Sequence, residues 1–282
     1  MKMNIAIVQM DCELGNIAGN LAKTLRYAKE LRGKVSLIAF PELSLTGYSV
    51  KGEFYKYALN LESGEVAKLK EASREVSLLV GFVEEGSAMK YYNSYMFVHK
   101  GKVANVQRKI YLPTYGIFDE RKYFASGDTV TCFDYGRFRF APMICNDIWQ
   151  PSMPYIAASD DANTFVVPVS SARGGLGVGL STRKLWNTII TYYAMIYGSY
   201  VIFANRSGRE EKLNFWGGSK LVNPLGQIVS EAKGDSEQAI IGEMDINLIR
   251  QMRIVLPTHR DNDINHAIRQ LTRVVKRRQA RI

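Results

Sequence analysis

Three residues of reactive types each stand directly after a strongly apolar stretch of the sequence. Cys145 follows residues 140–144 (Phe-Ala-Pro-Met-Ile), Glu42 closes residues 36–42, and Lys109 ends a third such stretch. Loops that follow buried strands commonly build active sites. Each residue alone has an ordinary explanation, namely a small core cysteine, an acidic residue that caps a loop and a surface lysine. Together they suggest a cysteine nucleophile with a base and a cation.

The chemistry of a thiol explains why such a set is needed. A free cysteine has a pKa of about 8.5, so only a small fraction is ionised at neutral pH and it needs a base or a nearby cation. The three histidines lie in no recognisable catalytic motif (His99, His259, His266). A buried carboxylate can serve instead, and Glu42 is the candidate. An ammonium about 4 Å from the sulfur interacts by roughly 4 kcal/mol at an effective dielectric of about 20, so we expect Lys109 to favour the thiolate and later an oxyanion.

The elements that must position these residues alternate between strands and helices. Apolar spacing predicts helices over residues 17–31, 65–76 and 182–197. Short apolar or β-branched runs predict strands over residues 5–10, 35–40, 77–83, 92–99, 103–107, 138–144, 164–169, 201–204, 219–222, 227–229 and 239–243. This pattern predicts one α/β domain with helices on the outer faces of a large sheet or a pair of sheets.

Composition sets further bounds. The 282 residues are 46% hydrophobic, and the three cysteines are too few to suggest a disulfide framework. No apolar stretch approaches the ~20 residues of a membrane span, and the N-terminus lacks the pattern of a secretory signal, so we expect a cytoplasmic protein. The net charge is +10, and from residue 250 onward nine Arg or Lys face two Asp. We therefore expect residues 1–250 to form the domain and residues 251–282 a basic extension that packs on it or on a second subunit, with nucleic acid a weaker alternative.

Several motifs give the chain a family resemblance. Residues 40–43 (Phe-Pro-Glu-Leu), 108–113 (Arg-Lys-Ile-Tyr-Leu-Pro) and 144–147 (Ile-Cys-Asn-Asp) resemble three signatures of the nitrilase, or carbon–nitrogen hydrolase, superfamily. Residues 119–124 and 215–219 are similar to two further segments of that family. The resemblance covers about residues 3 to 245, in the family's order. Several motifs in order are far more specific than any one of them.

The resemblance implies a fold and a chemistry. The fold would be a four-layer α-β-β-α sandwich, paired through its helices into at least a homodimer. The site would need no metal or organic cofactor. Glu42 would be the general base, Cys145 the nucleophile and Lys109 the stabiliser of the oxyanion, helped by the backbone N–H of Asn146. Glu120 would orient these groups or the substrate.

The substrate is a small carboxamide on this interpretation. Residues 112–120 and 45–48 most resemble the glutaminase half of glutamine-dependent NAD synthetases, which favours a glutamine-like ω-amide. On that match Tyr48, Tyr115 and Phe118 would line the pocket, although aromatic residues also simply pack cores. Ser171 and Arg173, or Arg183, would contact the substrate, with a carboxylate as the target of the arginine.

Two departures leave glutamine open. No synthetase domain follows, and residues 170–175 lack the Pro-Tyr stretch expected after the serine. The glycines at positions 174, 175, 177 and 179 suggest a rim over the pocket, since no Lys-Ser/Thr follows at P-loop spacing.

Three alternatives remain from the sequence. The same reactive residues could hydrolyse an N-carbamoyl amine or a nitrile. The chain could be a glutaminase subunit that feeds ammonia to a separate synthetase. It could also be an idle binding or scaffold protein that uses its basic extension.

Overall fold

The fold is built on two six-stranded sheets. The structure, a computed structural model, describes residues 2–49, 51–116, 118–174 and 181–280. Its helices are α1 (Ile17–Leu31), α2 (Gly64–Ala72), α3 (Ser152–Ser159), α4 (Thr182–Ile196), α5 (Ile246–Val255) and α6 (Ile264–Gln279). Its strands are β1 (Lys2–Gln9), β2 (Leu37–Ala39), β3 (Ser77–Glu85), β4 (Tyr91–His99), β5 (Lys102–Arg108), β6 (Phe133–Tyr135), β7 (Phe138–Pro142), β8 (Thr164–Val169), β9 (Tyr200–Asn205), β10 (Ser207–Glu210), β11 (Leu213–Trp216), β12 (Lys220–Val222), β13 (Ile228–Glu231) and β14 (Gln238–Asp245).

The two sheets have similar connectivity. The first has the order β14-β1-β2-β3-β4-β5, with β1, β2 and β3 parallel. The second has the order β13-β12-β9-β8-β7-β6, with β7, β8 and β9 parallel. Strands β10 and β11 form a separate antiparallel hairpin.

Side chains of a single strand show how the layers stack. In β1, Ile5 and Ile7 belong to an apolar cluster that also contains Phe140 and Ile202 of the second sheet. Ala6 and Val8, which point to the opposite face because strand side chains alternate, pack in a second cluster with α1 and α2. A third cluster lies between the second sheet and helices α3 and α4. The predicted four-layer α-β-β-α sandwich is therefore confirmed.

Helix α1 shows how a helix is fitted to this layer. Its bounds are those that the apolar spacing predicts. The side chain of Asn16 accepts a hydrogen bond from the N–H of Gly19, which satisfies one of the free donors at the helix start. Leu21, Ala28 and Leu31 are buried against the first sheet.

Helix α6 lies in the predicted basic extension, whereas α5 begins before residue 251 and buries Ile246 and Ile249 in the cluster between the two sheets. Arg253 donates to the carbonyl of Ala162 at 3.0 Å, and the Asn262 amide donates to Ser159 Oγ at 3.0 Å, so the segment before α6 packs beside the end of α3. Helix α6 has no buried residue. Among the helices in the described ranges, none combines the length and the apolar character that crossing a bilayer requires.

Candidate active site

A buried lysine connects two buried carboxylates at one end of the sandwich. Lys109 directly follows β5, Glu42 follows β2, and Glu120 begins a short 3-10 turn. The Lys109 Nζ lies 2.7 Å from Glu42 Oε1 and 2.7 Å from Glu120 Oε1. The lysine and Glu42 side chains are fully buried. The structure thus brings together three of the residues that the sequence singles out.

The electrostatics of this cluster hold the lysine charged. Burial by itself lowers the pKa of Lys109, but the negative charges of Glu120 and Glu42, to which an ionised Cys145 would add, outweigh it and place that pKa well above its ordinary value. Lys109 therefore remains a cation throughout the neutral range. Two of its three N–H donors are used by the carboxylates, which leaves one for a further acceptor.

Glu42 is held through one oxygen only. Its Oε1 accepts from Lys109 and from the amide of Asn93, at 2.9 Å. Its Oε2 is buried and has no hydrogen-bond partner among the described residues. Asn93 lies in β4, and sequence reasoning missed it. A carboxylate fixed in this way can accept a proton at the second oxygen.

Glu120 has a comparable arrangement. Its Oε1 accepts from Lys109 and from the hydroxyl of Tyr48, at 2.6 Å. Burial raises the pKa of Glu120, Lys109 opposes the rise, and the charge of Glu42 adds to it. Tyr48, expected in the pocket wall, is thus bound to Glu120, and its ring meets Phe118 edge-on at a centroid distance of 6.0 Å.

Cys145 occupies a tight turn after β7. Its φ of 49° lies in the left-handed region, which non-glycine residues adopt rarely and which recurs at active sites. The buried Asp147 carboxylate holds this turn, because it accepts the N–H groups of Ile144 at 3.0 Å, Ile110 at 3.0 Å and Tyr111 at 2.8 Å. Asp147 therefore ties the segment after Lys109 to the Cys145 turn. Its place in the motif of residues 144–147 is the sequence signal by which it could have been found.

The surroundings of Cys145 raise the pKa of its thiol. Burial raises the pKa of Cys145 well above its ordinary value, Glu42 raises it further, and Lys109 only partly opposes this. Lys109 acts in the predicted direction, because its charge lowers the pKa of the thiol, but burial and the two carboxylates outweigh it.

Cys145 opens onto a small cavity with aromatic walls. The Tyr115 hydroxyl donates to Asn146 Oδ1 at 2.6 Å, and the Asn146 amide donates to the carbonyl of Tyr111 at 2.9 Å. These bonds fix one wall of the cavity. The residues that line the cavity around Cys145 include Tyr115, Phe118, Asn146, Ser171 and Trp186.

Ser171 is held by two tryptophans. Its Oγ accepts the indole N–H of Trp186 at 3.1 Å and that of Trp216 at 3.0 Å. An indole N–H can only donate, so both acceptor positions of the hydroxyl are occupied. The Ser171 hydroxyl is therefore left to act as a hydrogen-bond donor.

Arg173 and Arg183 lie at the surface. Arg173 is more than half exposed, lies 3.3 Å from Asp235, and is not among the residues that line the cavity. Arg183 is also half exposed and lies 3.6 Å from Glu231. Their role in substrate binding stays a prediction. The rim glycines at positions 175, 177 and 179 lie outside the described residues.

No group of three or more His, Cys, Asp or Glu in the described ranges is placed to hold a metal ion. The other two cysteines lie elsewhere. Cys12 is buried under α1, and Cys132 lies beside the cluster that contains α3. Burial raises the pKa of each to about 12.

Known proteins resemble this chain in sequence. The model of the carbon–nitrogen hydrolase family matches residues 4–254. The chain is 28% identical to a glutamine-dependent NAD(+) synthetase of Thermotoga maritima over 92% of its own length, but it spans only 45% of that protein. It is 29% identical to a probable nitrilase of Schizosaccharomyces pombe, with 90% of this chain and 92% of that protein covered.

A solved structure also resembles this chain in its fold. The glutamine-dependent NAD+ synthetase of Acinetobacter baumannii superposes with a TM-score of 0.79 at 26% identity, over 88% of this chain and 47% of that one. The chain spans about half the length of the synthetases that it matches. The family match covers most of the chain, and the chain belongs to the carbon–nitrogen hydrolase family.

Proposed function

We propose that this protein is an amidase that releases ammonia from a small linear carboxamide through a thioester on Cys145. The observation that carries the proposal is the buried Glu42–Lys109–Glu120 cluster, whose charges all act on a cysteine at the edge of a cavity. Such a set supplies a nucleophile, a base and a fixed cation without histidine.

In the first half-reaction the Cys145 sulfur attacks the amide carbon while its proton moves to Oε2 of Glu42. The amide oxygen becomes an oxyanion, which the third N–H of Lys109 and the backbone N–H of Asn146 stabilise. Loss of one such donor typically costs about 10²–10³ in turnover. The Glu42 proton then passes to the nitrogen as the C–N bond breaks, which leaves ammonia and a thioester.

In the second half-reaction Glu42 removes a proton from water as the water oxygen attacks the thioester. The intermediate collapses to the carboxylic acid, and the proton on Glu42 returns to the sulfur. One carboxyl group thus serves both steps, while Lys109 stays charged because of the two carboxylates beside it.

The favoured substrate is a glutamine-like ω-amide. The Ser171 hydroxyl, limited to donating, suits a substrate with a hydrogen-bond acceptor such as a carboxylate oxygen. Tyr115 and Phe118 suit a short apolar linker between that group and the amide. The synthetase relatives, named as glutamine-dependent, support this choice.

The test is ammonia release from a panel of amides, nitriles and N-carbamoyl amines. We expect ω-amides to be the best substrates and Cys145→Ala to abolish release, while Cys132→Ala retains it. Ammonia release that persists in Cys145→Ala would refute the proposal.

A nitrilase is the second candidate, because the Schizosaccharomyces pombe relative that matches the chain over most of both lengths is named a probable nitrilase. A nitrile would form a thioimidate on Cys145, and water would then release the acid and ammonia. A preference for nitriles over the matching amides in the same panel would favour this candidate.

A further inference from the structure

A buried ion pair lies outside the cluster around Cys145. Arg206 directly precedes strand β10, and Glu210 is the last residue of that strand. The Arg206 side chain is fully buried, and the Glu210 side chain is 1% exposed. The Arg206 guanidinium donates through Nη1 to the Glu210 carboxylate and through Nη2 to the carbonyl of Cys12 at 2.6 Å. It also stacks over the ring of Phe215 at 4.0 Å. The proposed reaction uses neither charge.

Glu210 binds the backbone of the loop that follows Glu42. Its carboxylate accepts the backbone N–H of Tyr48 at 3.0 Å and that of Ser49 at 2.5 Å. Gly47 makes this approach possible, since a Cβ there would lie 2.8 Å from Glu210 Oε2 and its φ is +77°. The loop backbone is thus fitted around this one carboxylate.

Tyr48 carries the connection into the cluster. Its hydroxyl donates to Oε1 of Glu120, the same oxygen that accepts from Lys109. Arg206 is therefore connected to Glu120 through Glu210 and Tyr48. The backbone N–H of Tyr48 binds Glu210, and the hydroxyl of the same residue binds Glu120.

The same hairpin supports the other wall of the cavity. The N–H of Arg173 donates to the carbonyl of Asn214 at 2.8 Å, and Ala172 bridges Phe215. Since Ser171 precedes these contacts, the β10–β11 hairpin fixes both the Tyr48 loop and the serine that lines the cavity.

A buried ion pair is a poor way to gain stability, because well-packed apolar residues often do as well. Glu210 accepts hydrogen bonds from three donors, two of them backbone N–H groups of the Tyr48 loop, and this gives the pair another use. We propose that Glu210, held by Arg206, is a positioning residue that fixes Tyr48 and through it the orientation of Glu120. This inference rests on the proposed amidase reaction.

A double-mutant cycle between Glu210 and Tyr48 tests the inference. We expect Glu210→Gln and Tyr48→Phe each to lower kcat by about tenfold or more with little change in KM, because small misplacements of reacting groups are costly. If Glu210 acts through Tyr48, the double variant should lose no more than about twofold beyond either single variant. Losses that multiply would overturn the proposal.

Two further variants separate positioning from folding. Arg206→Met with Glu210→Met removes both charges together, so it should fold and yet lose activity as Glu210→Gln does. Glu243→Gln is the control, because Glu243 pairs at 2.7 Å with Lys2 across strands β14 and β1, and neither residue lines the cavity. It should leave kcat near the parent value. Parental kcat in the folded Met/Met variant would overturn the proposal.

A second readout keeps this test independent of the substrate. The rate at which iodoacetamide alkylates Cys145, measured by peptide mass mapping, should fall in the same variants even if no amide in the panel is hydrolysed. Absence of turnover with slower alkylation in Glu210→Gln would reject the amidase but support the positioning role. An unchanged alkylation rate in Glu210→Gln, Tyr48→Phe and the Met/Met variant would reject the positioning role.

Discussion

The thiol of Cys145 lies between an ammonium that favours its ionised form and two carboxylates that oppose it. Burial adds to the effect of Glu42 and Glu120, so the pKa of the thiol is raised. A raised pKa disfavours the ionised form of the sulfur at neutral pH. In the proposed reaction Glu42 takes the thiol proton at Oε2, the oxygen that has no hydrogen-bond partner among the described residues.

This arrangement predicts how Cys145 titrates. The ultraviolet absorbance of a thiolate, taken as the difference between the parent and Cys145→Ala, should stay absent at neutral pH and up to the ordinary thiol pKa of about 8.5. The physical reason is that the raised pKa delays ionisation to more alkaline solution. A thiolate signal already complete at neutral pH would show that Lys109 dominates and would contradict the account.

The residues proposed to act on the substrate could be found from sequence, but those that hold them in place could not. Glu42, Lys109 and Cys145 stand out by type and by their place after apolar runs. Asn93 bonds to a residue 51 positions away, and Glu210 to residues more than 160 positions away. Such pairings leave no local pattern, because only the folded sheets bring the partners together.

Among the elements, β3 sets the position of the loop that carries Glu42. Gly81 in β3 packs directly against this loop, and a Cβ there would lie 2.4 Å from the N–H nitrogen of Leu43 and 2.6 Å from the carbonyl oxygen of Pro41. Both are backbone atoms, so they cannot move aside as a flexible side chain would. Strand and loop must therefore shift apart if a side chain is added.

Gly81→Ala should for this reason impair activity more than an ordinary strand substitution. We expect destabilisation of about 1–3 kcal/mol, as overpacking a core typically costs, together with a fall in kcat because Glu42 moves relative to Lys109. Chemical denaturation and amidase kinetics would check this. Gly52→Ala is the control, since a Cβ there meets nothing within 4 Å. Parental kcat in Gly81→Ala would contradict the proposed packing.

The elements were predictable where one face is apolar over many residues. The spacing of apolar residues predicts α1 with its bounds, and the β4–β5 hairpin within two residues. Helix α3 was missed because it is short and contains Pro154. Helix α6 was missed because many basic residues separate the members of its apolar row. These members recur at helical spacing, namely Ile264, Ile268, Leu271 and Val275.

On the scale of the molecule, that row remains open to solvent. Ile268 and Leu271 are 56% and 64% exposed, and a helix of this length with no buried side chain gains little stability by itself. Apolar residues on α3 and α4 are also exposed, namely Ile156, Tyr192 and Met195. The segment before α6 contacts the end of α3, where the Asn262 amide donates to Ser159 Oγ at 3.0 Å. We propose that a second copy of the chain covers both.

Loss of this row should weaken self-association. We expect Ile268→Ser with Leu271→Ser to raise the dimer dissociation constant by at least about tenfold, since each buried apolar side chain contributes about 1.5–3 kcal/mol. Sedimentation velocity over a range of concentrations measures this. Ile241→Ser, an exposed residue of β14, is the control and should leave the dimer intact. A parent that sediments as a monomer at every concentration would contradict the proposal.

The central claim is that Cys145 attacks the substrate while Glu42 moves its proton and later activates water. Intact mass spectrometry of Glu42→Gln after exposure to ω-amides and other carboxamides tests it most directly. The account predicts an added mass equal to the acyl group, located on Cys145 and absent from the Glu42→Gln/Cys145→Ala double variant. An acyl group on another residue, or parental turnover in Glu42→Gln, would contradict it.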